Sequence, residues 1–165
     1  MARGQQLVAG KFACAGHLVQ APGRLIWDVA FPDRGFARDL HGFAWLDDLA
    51  ALGDAQARGR AQDWTRAWIQ RFGRGGGPGW AADLTGRRLI RWIHHAALLT
   101  QGRDGPDRAP YFRALTVQTV FLSRRWSRAA PGLPRFEALC GLIIAALALQ
   151  GTERLVGPAL SGLIR

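Results

Sequence analysis

The sequence predicts an all-α fold: a partial two-layer α/α toroid of antiparallel helix pairs, preceded by an irregular N-terminal arm. Three observations predict it. From Asp39 onward, apolar residues recur at helical spacing in segments of several turns. Successive segments alternate between amphipathic and almost wholly apolar, as expected where outer helices cover inner ones. The first 35 residues, by contrast, are punctuated by Gly10, Gly16, Pro22, Gly23, Pro32 and Gly35 and show no strong period. The expected organisation is therefore an arm over residues 1–38 and one helical domain over 39–165.

Within the arm, Lys11 to Val19 reads as a short strand or extended segment, and Trp27 and Phe31 read as anchors that tuck it onto the helices. The first helical segment is Asp39 to Leu52, where Leu40, Phe43, Leu46, Leu49 and Leu52 recur every three residues and Gly53 stops the run. The second, Asp54 to Phe72, is amphipathic. Ala61, Trp64, Trp68, Ile69 and Phe72 form one face, and Arg58, Arg60, Asp63, Arg66 and Arg71 form the other. The glycine run from Gly73 to Gly79 ends it. That run lacks the Gly-Lys-Ser/Thr ending of a phosphate loop and follows a helix rather than a strand, so it reads as a plain loop.

The third segment is the centre of the chain. Thr85 is placed as its cap, and Leu89 to Leu99 is apolar on nearly every side, which predicts burial. Arg87, Arg88 and Arg91 then fall in its first turns, at the positive end of the helix dipole, a pairing that suggests an anion site. The fourth segment, Asp107 to Arg128, sets Phe112, Leu115, Thr119, Leu122 and Trp126 against Arg113, Gln118, Arg124 and Arg125. The fifth, Leu133 to Gln150, carries only Arg135 and Glu137 as charges. A sixth element opens at Thr152 and is interrupted at Gly157-Pro158.

Short connections make consecutive helices antiparallel neighbours. The third and fifth segments would then run parallel in an inner layer, with their first turns at one end. This predicts a rim formed by Trp80, Arg87, Arg88, Arg91, Arg135 and Glu137. Guanidinium forks suit carboxylate or sulfate, and an indole face can stack on a sugar ring. The competing reading places Trp80 and Trp92 in the core and pairs the arginines with Asp83 and Glu137.

Composition narrows the function classes. The chain has 165 residues and a formal net charge of +10, and of its 22 basic residues all but Lys11 are arginine. The arginines are spread along the whole chain, as a coding bias would spread them, and form no basic stripe. No helix-turn-helix spacing or aromatic strand motif is present, so nucleic acid is disfavoured as partner. Cys14 and Cys140 lie among apolar neighbours and read as buried free thiols. His94 and His95 are adjacent and cannot share a helix face, so no metal site is expected, and no cofactor. No secretory signal is visible, and the longest uncharged apolar run, Ala138 to Leu149, is too short for a membrane span.

The segment Trp80 to Ile93, with Arg88 and Trp92, resembles the Trp…Ser-x-Arg-x-x-Asn-Trp-Ile signature in the helical domain of heparinase II/III-type polysaccharide lyases. Leu40-His41-Gly42-Phe43-x-Trp45-Leu46 is similar to the segment before it, and Leu133-Pro134-Arg135-Phe136-Glu137-Ala138-Leu139-x-Gly141-Leu142 to the next inner helix. The resemblance implies a toroid that binds acidic polysaccharide, uronate-containing or sulfated, and a large C-terminal β-sandwich absent from these residues. Together the two would cleave the polymer by β-elimination. It also implies a bacterial, periplasmic setting. The signature's serine and asparagine correspond to Gly86 and Arg91, the chain has no asparagine, and its one tyrosine, Tyr111, falls on an outer segment. No residue is therefore assigned a catalytic role, and the expectation is a substrate-binding fragment without activity of its own. The alternative is a non-catalytic basic helical module that binds nucleic acid or a protein partner. A further expectation is exposed apolar surface on the fifth and sixth elements.

Overall fold

The computed structural model describes residues 2–164; Met1 and Arg165, the outer bounds of the two expected segments, lie outside the described residues. The fold is all-α, with nine α-helices and one two-stranded sheet among the described residues. The N-terminal stretch holds more regular structure than its lack of period suggests. Helix α1 (Ala2–Val8) leads into a hairpin of β1 (Lys11–Cys14) and β2 (His17–Gln20), in the register Phe12 opposite Val19. Its two-residue turn needs positive φ at both positions, which Ala15 (48°) and Gly16 (80°) supply. Phe12 is fully buried, edge-on to Trp64 at 5.7 Å between ring centroids. Trp27, in the 3-10 turn Ile26–Asp28, donates its indole N–H to the Trp64 carbonyl at 2.7 Å. The arm and the helices thus share one apolar core.

The first helical segment is not continuous. It divides into α2 (Arg34–His41) and α3 (Ala44–Leu52), because Phe43 takes the left-handed conformation, φ 62°. The apolar spacing runs through this break, which is why periodicity alone misses it. Asp33 caps α2 through the Phe36 N–H at 2.8 Å, and Asp54 caps α4 (Ala55–Phe72) through the Ala57 N–H at 2.7 Å.

The third segment differs more. Helix α5 spans Ala82–His94, and α6 (Ala96–Thr100) follows after a break at His95. Thr85 is not a cap: it lies inside α5 and its hydroxyl donates back to the Ala81 carbonyl at 2.9 Å. Starting the helix four residues earlier, with Ala81 rather than Thr85 at the cap position, moves the arginines away from the positive pole. Asp83 holds the first turn, and Arg91 falls in the last turn, near the negative end, where a cation is favourable. The electrostatic premise of the anion site is thereby removed.

Helix α7 (Gly105–Arg125) continues into the 3-10 turn Trp126–Arg128, and α8 (Leu133–Ala148) and α9 (Val156–Leu163) complete the chain. The principal helix pair is α5 with α8. Their backbones meet at two glycines: a Cβ on Gly141 would lie 2.4 Å from the Gly86 Cα, and one on Gly86 2.3 Å from the Glu137 carbonyl oxygen. Only residues without a side chain permit that approach.

Helix α8, read from sequence as an inner-layer helix with exposed apolar surface, is buried on one side only. Ala138, Leu139, Gly141, Leu142, Ala145 and Ala146 are buried, whereas Leu133, Phe136, Ile144 and Leu147 are exposed, Leu147 to 69%. With Leu160 and Ile164 also exposed, the last two helices carry the apolar surface anticipated for them.

Candidate functional site

The residues expected to form a rim are distributed over internal contacts. Arg88 has no exposed surface. Its Nε donates to Gln118 Oε1 at 2.6 Å, and its Nη1 donates to the carbonyls of His41 (3.0 Å) and Gly79 (2.9 Å). A longer bond reaches Thr85 Oγ1 at 3.4 Å, and the guanidinium carbon lies 4.1 Å over the Trp68 ring. None of these partners is a carboxylate. Burial draws the Arg88 guanidinium down to about 9, which still leaves it charged at neutral pH. One buried cation thus ties together α2, the Gly79 loop, α5 and α7.

Around it stands an aromatic cage. His41 is also fully buried, stacks on Trp27 at 5.3 Å and accepts the Trp68 indole N–H on Nδ1 at 2.9 Å. Its proton therefore sits on Nε2, which has no partner. Desolvation, reinforced by the Arg88 charge, lowers the His41 pKa to about 4. Trp80, 7% exposed, donates to the Phe72 carbonyl at 2.6 Å and packs edge-on against Phe121. Tyr111 donates its hydroxyl to the Trp92 carbonyl at 2.6 Å, and burial pushes its pKa up. These are groups committed to the core, and apart from His41 Nε2 their polar atoms are directed at neighbours.

The remaining rim candidates are held in surface pairs. Arg87 bridges Asp83 (3.2 Å) and Glu137 (3.0 Å), linking α5 to α8. Arg91 bonds Asp47 at 2.8 Å and the Gly42 carbonyl at 3.1 Å, which fastens α5 to the start of α3. Arg135 donates to the Ser127 and Ala129 carbonyls at 3.3 and 3.1 Å. The structure brings Trp80 to Arg88 and Arg87 to Glu137, but commits Arg91 to α3 and Arg135 to the loop before α8.

Two surface features lie beside these residues. A cleft of about 450 Å³ is lined by Arg38, Arg125 and Arg128 together with Trp80 and Phe121. Asp83 also lines it, with its carboxylate engaged by Arg38 and Arg87. Arg125 and Arg128 are exposed and form no ion pair among the described residues. An apolar groove of about 510 Å³ lies between the start of α8 and α9, lined by Leu133, Phe136, Leu139 and Leu163. The sequence reading anticipated exposed apolar surface on this element without assigning the residues that carry it. Leu139 and Leu142 share the packed side with Ala138, Gly141, Ala145 and Ala146, and Leu133, Phe136, Ile144 and Leu147 occupy the open one.

No protein-family profile matches this chain, and no solved structure matches it. Among curated proteins it is similar to FtsZ-localized protein C of Caulobacter vibrioides (strain NA1000 / CB15N), with 34% identity over 97 residues. Those residues are 58% of this chain and 16% of that protein, so the chain spans a small part of its relative's length. These findings overturn the lyase resemblance. A relative named for localisation with FtsZ gives no support to a heparinase II/III-type family, to polysaccharide cleavage, or to an acidic polysaccharide and a missing β-sandwich as partners. No helix among the described residues is long and apolar enough to cross a membrane.

Proposed function

We propose that this chain is a non-catalytic helical module that docks a protein partner within an FtsZ-associated assembly. The carrying observation is the open side of α8, where Phe136, Ile144 and Leu147 stand exposed on a helix whose other side is closely packed on α5. Large exposed apolar side chains grouped on one element mark interaction surfaces. The relative's name supplies the setting, and an FtsZ-associated location replaces the periplasmic one that the lyase resemblance implied.

The core chemistry is consistent with this role. His41, Arg88 and Tyr111 are bonded to internal acceptors or donors, so they serve folding rather than turnover. A protein partner fits the surface better than nucleic acid, because the exposed arginines of α7 alternate with Phe112, Val117 and Val120 rather than forming a continuous basic stripe.

The test is localisation. The chain, fused to a fluorescent protein and expressed in Caulobacter vibrioides, should coincide with FtsZ. Phe136→Asp with Leu147→Asp should disperse it without changing its melting temperature. Diffuse signal from the unaltered chain, or unchanged coincidence in the double variant, would count against the proposal.

A further inference from the structure

The cationic cleft and the apolar groove are neighbours. The stretch that joins α7 to α8, together with the first turn of α8, forms a wall of each: Arg128, Ala129, Ala130 and Pro134 border the cleft, while Pro131, Gly132, Leu133 and Arg135 border the groove. A chain laid across this stretch would meet arginines on one side and apolar side chains on the other. We infer that the two form a single bipartite site for a peptide segment of a partner protein in which acidic residues adjoin a large apolar residue.

The charge balance selects this occupant. Asp83 is neutralised by Arg38 and Arg87, which leaves Arg125 and Arg128, both exposed and lining the cleft, without a carboxylate partner among the described residues. Arginine binds carboxylates through two parallel N–H donors, so an Asp or Glu side chain matches the donors on offer. Trp80 and Phe121, packed edge-on, add apolar lining to the cleft beside the arginines. The groove then receives a Leu, Ile, Phe or Met side chain against Phe136, Leu139 and Leu163. A second copy of this chain is a poor occupant, since it would bring the same arginines and a formal charge of +10 to a cationic surface.

This inference rests on the docking function proposed above and specifies the partner's chemistry. Its test is selection of a random dodecapeptide phage library on the full chain. Enriched peptides should pair at least two Asp or Glu residues with one large apolar residue. A fluorescein-labelled enriched peptide should lose binding about tenfold or more when its acids become amides, and similarly when the apolar residue becomes Ala. The Arg125→Glu/Arg128→Glu variant should lose the acidic peptide but bind a version carrying Lys in place of the acids. Circular dichroism and the melting temperature should show that the variant is folded.

No enrichment, enrichment without acidic residues, or equal binding by the charge-reversed variant would overturn the inference. So would binding to phosphatidylglycerol vesicles or to a DNA duplex that equals peptide binding and vanishes in the same variant. The two proposals fail separately. If Phe136→Asp/Leu147→Asp disperses the chain in cells while Arg125→Glu/Arg128→Glu leaves it with FtsZ, docking stands and the bipartite site falls.

Discussion

Replacing Arg88 should remove a large part of the folding free energy. The side chain is fully buried and bonds four acceptors: Gln118 Oε1, the His41 and Gly79 carbonyls, and Thr85 Oγ1. Arg88→Ala strands the two carbonyls and the amide oxygen, and each unpaired buried group costs about 1–3 kcal/mol. It also opens a void beneath Trp68 and Trp80. These costs overlap, and cases in which one partner is removed from a buried ionic network suggest a total of about 3–5 kcal/mol. A domain of this size has roughly 5–15 kcal/mol in all, so the variant should be marginal. Arg88→Met refills much of the volume and removes the cost of burying a charge, but leaves the carbonyls unpaired; it should lie between Ala and the native residue. Equilibrium urea denaturation of the three proteins measures this order. A loss under about 1 kcal/mol for Arg88→Ala, or native stability for Arg88→Met, would refute the claim that this cation organises the four elements around it.

Three further outcomes are expected. Gly141→Ala places a Cβ 2.4 Å from the Gly86 Cα, forces α5 and α8 apart, and should destabilise by about 1–3 kcal/mol; a melting temperature unchanged within error would contradict the crossing. Folded His41 has a pKa near 4 against 6.5 for the unfolded residue, so the unfolded state binds the extra proton and stability falls as pH drops from about 6.5 to 4. The loss attributable to His41 approaches about 3 kcal/mol, and denaturation at several pH values should show His41→Gln, which keeps an acceptor for Trp68, with a shallower slope in this window. Finally, Leu147→Glu should change stability by no more than about 0.5 kcal/mol and raise solubility, whereas Leu142→Ala, buried on the other side of the same helix, should cost about 2–5 kcal/mol; equal effects in chemical denaturation would mean that the open side of α8 is covered.

The helical class was legible because apolar spacing and glycine punctuation act locally. Helix α4 shows this best: Asp54 and Gly73 bracket it, and its bounds follow from sequence almost unchanged. The breaks at Phe43 and His95 were not legible. Both interrupt an apolar run whose period continues across them, so the information lies in long-range contacts such as Arg91 with the Gly42 carbonyl and His95 with Asp47. The shifted start of α5 had the largest consequence. Thr85 has the chemistry of a cap, but its hydroxyl serves Ala81 from within the helix, and the arginines lost their place at the positive pole with it. Arg88 looked like a surface ligand because arginine seldom enters a core. The acceptors that allow it there come from residues 30 to 47 positions away as well as from Gly79 and Thr85. Exposed apolar surface on α8 was legible, but which of its leucines face outward was not, because buried Leu142 and exposed Leu147 are alike in an apolar and polar reading.

The central claim is that the open side of α8 docks a protein partner in an FtsZ-associated assembly. Its most direct test is co-imaging of FtsZ with the fluorescently tagged chain and with its Phe136→Asp/Leu147→Asp variant, at equal expression and matched melting temperature. The account predicts coincidence for the first and a diffuse signal for the second. Coincidence that survives both substitutions, or a native chain that never meets FtsZ, would contradict it.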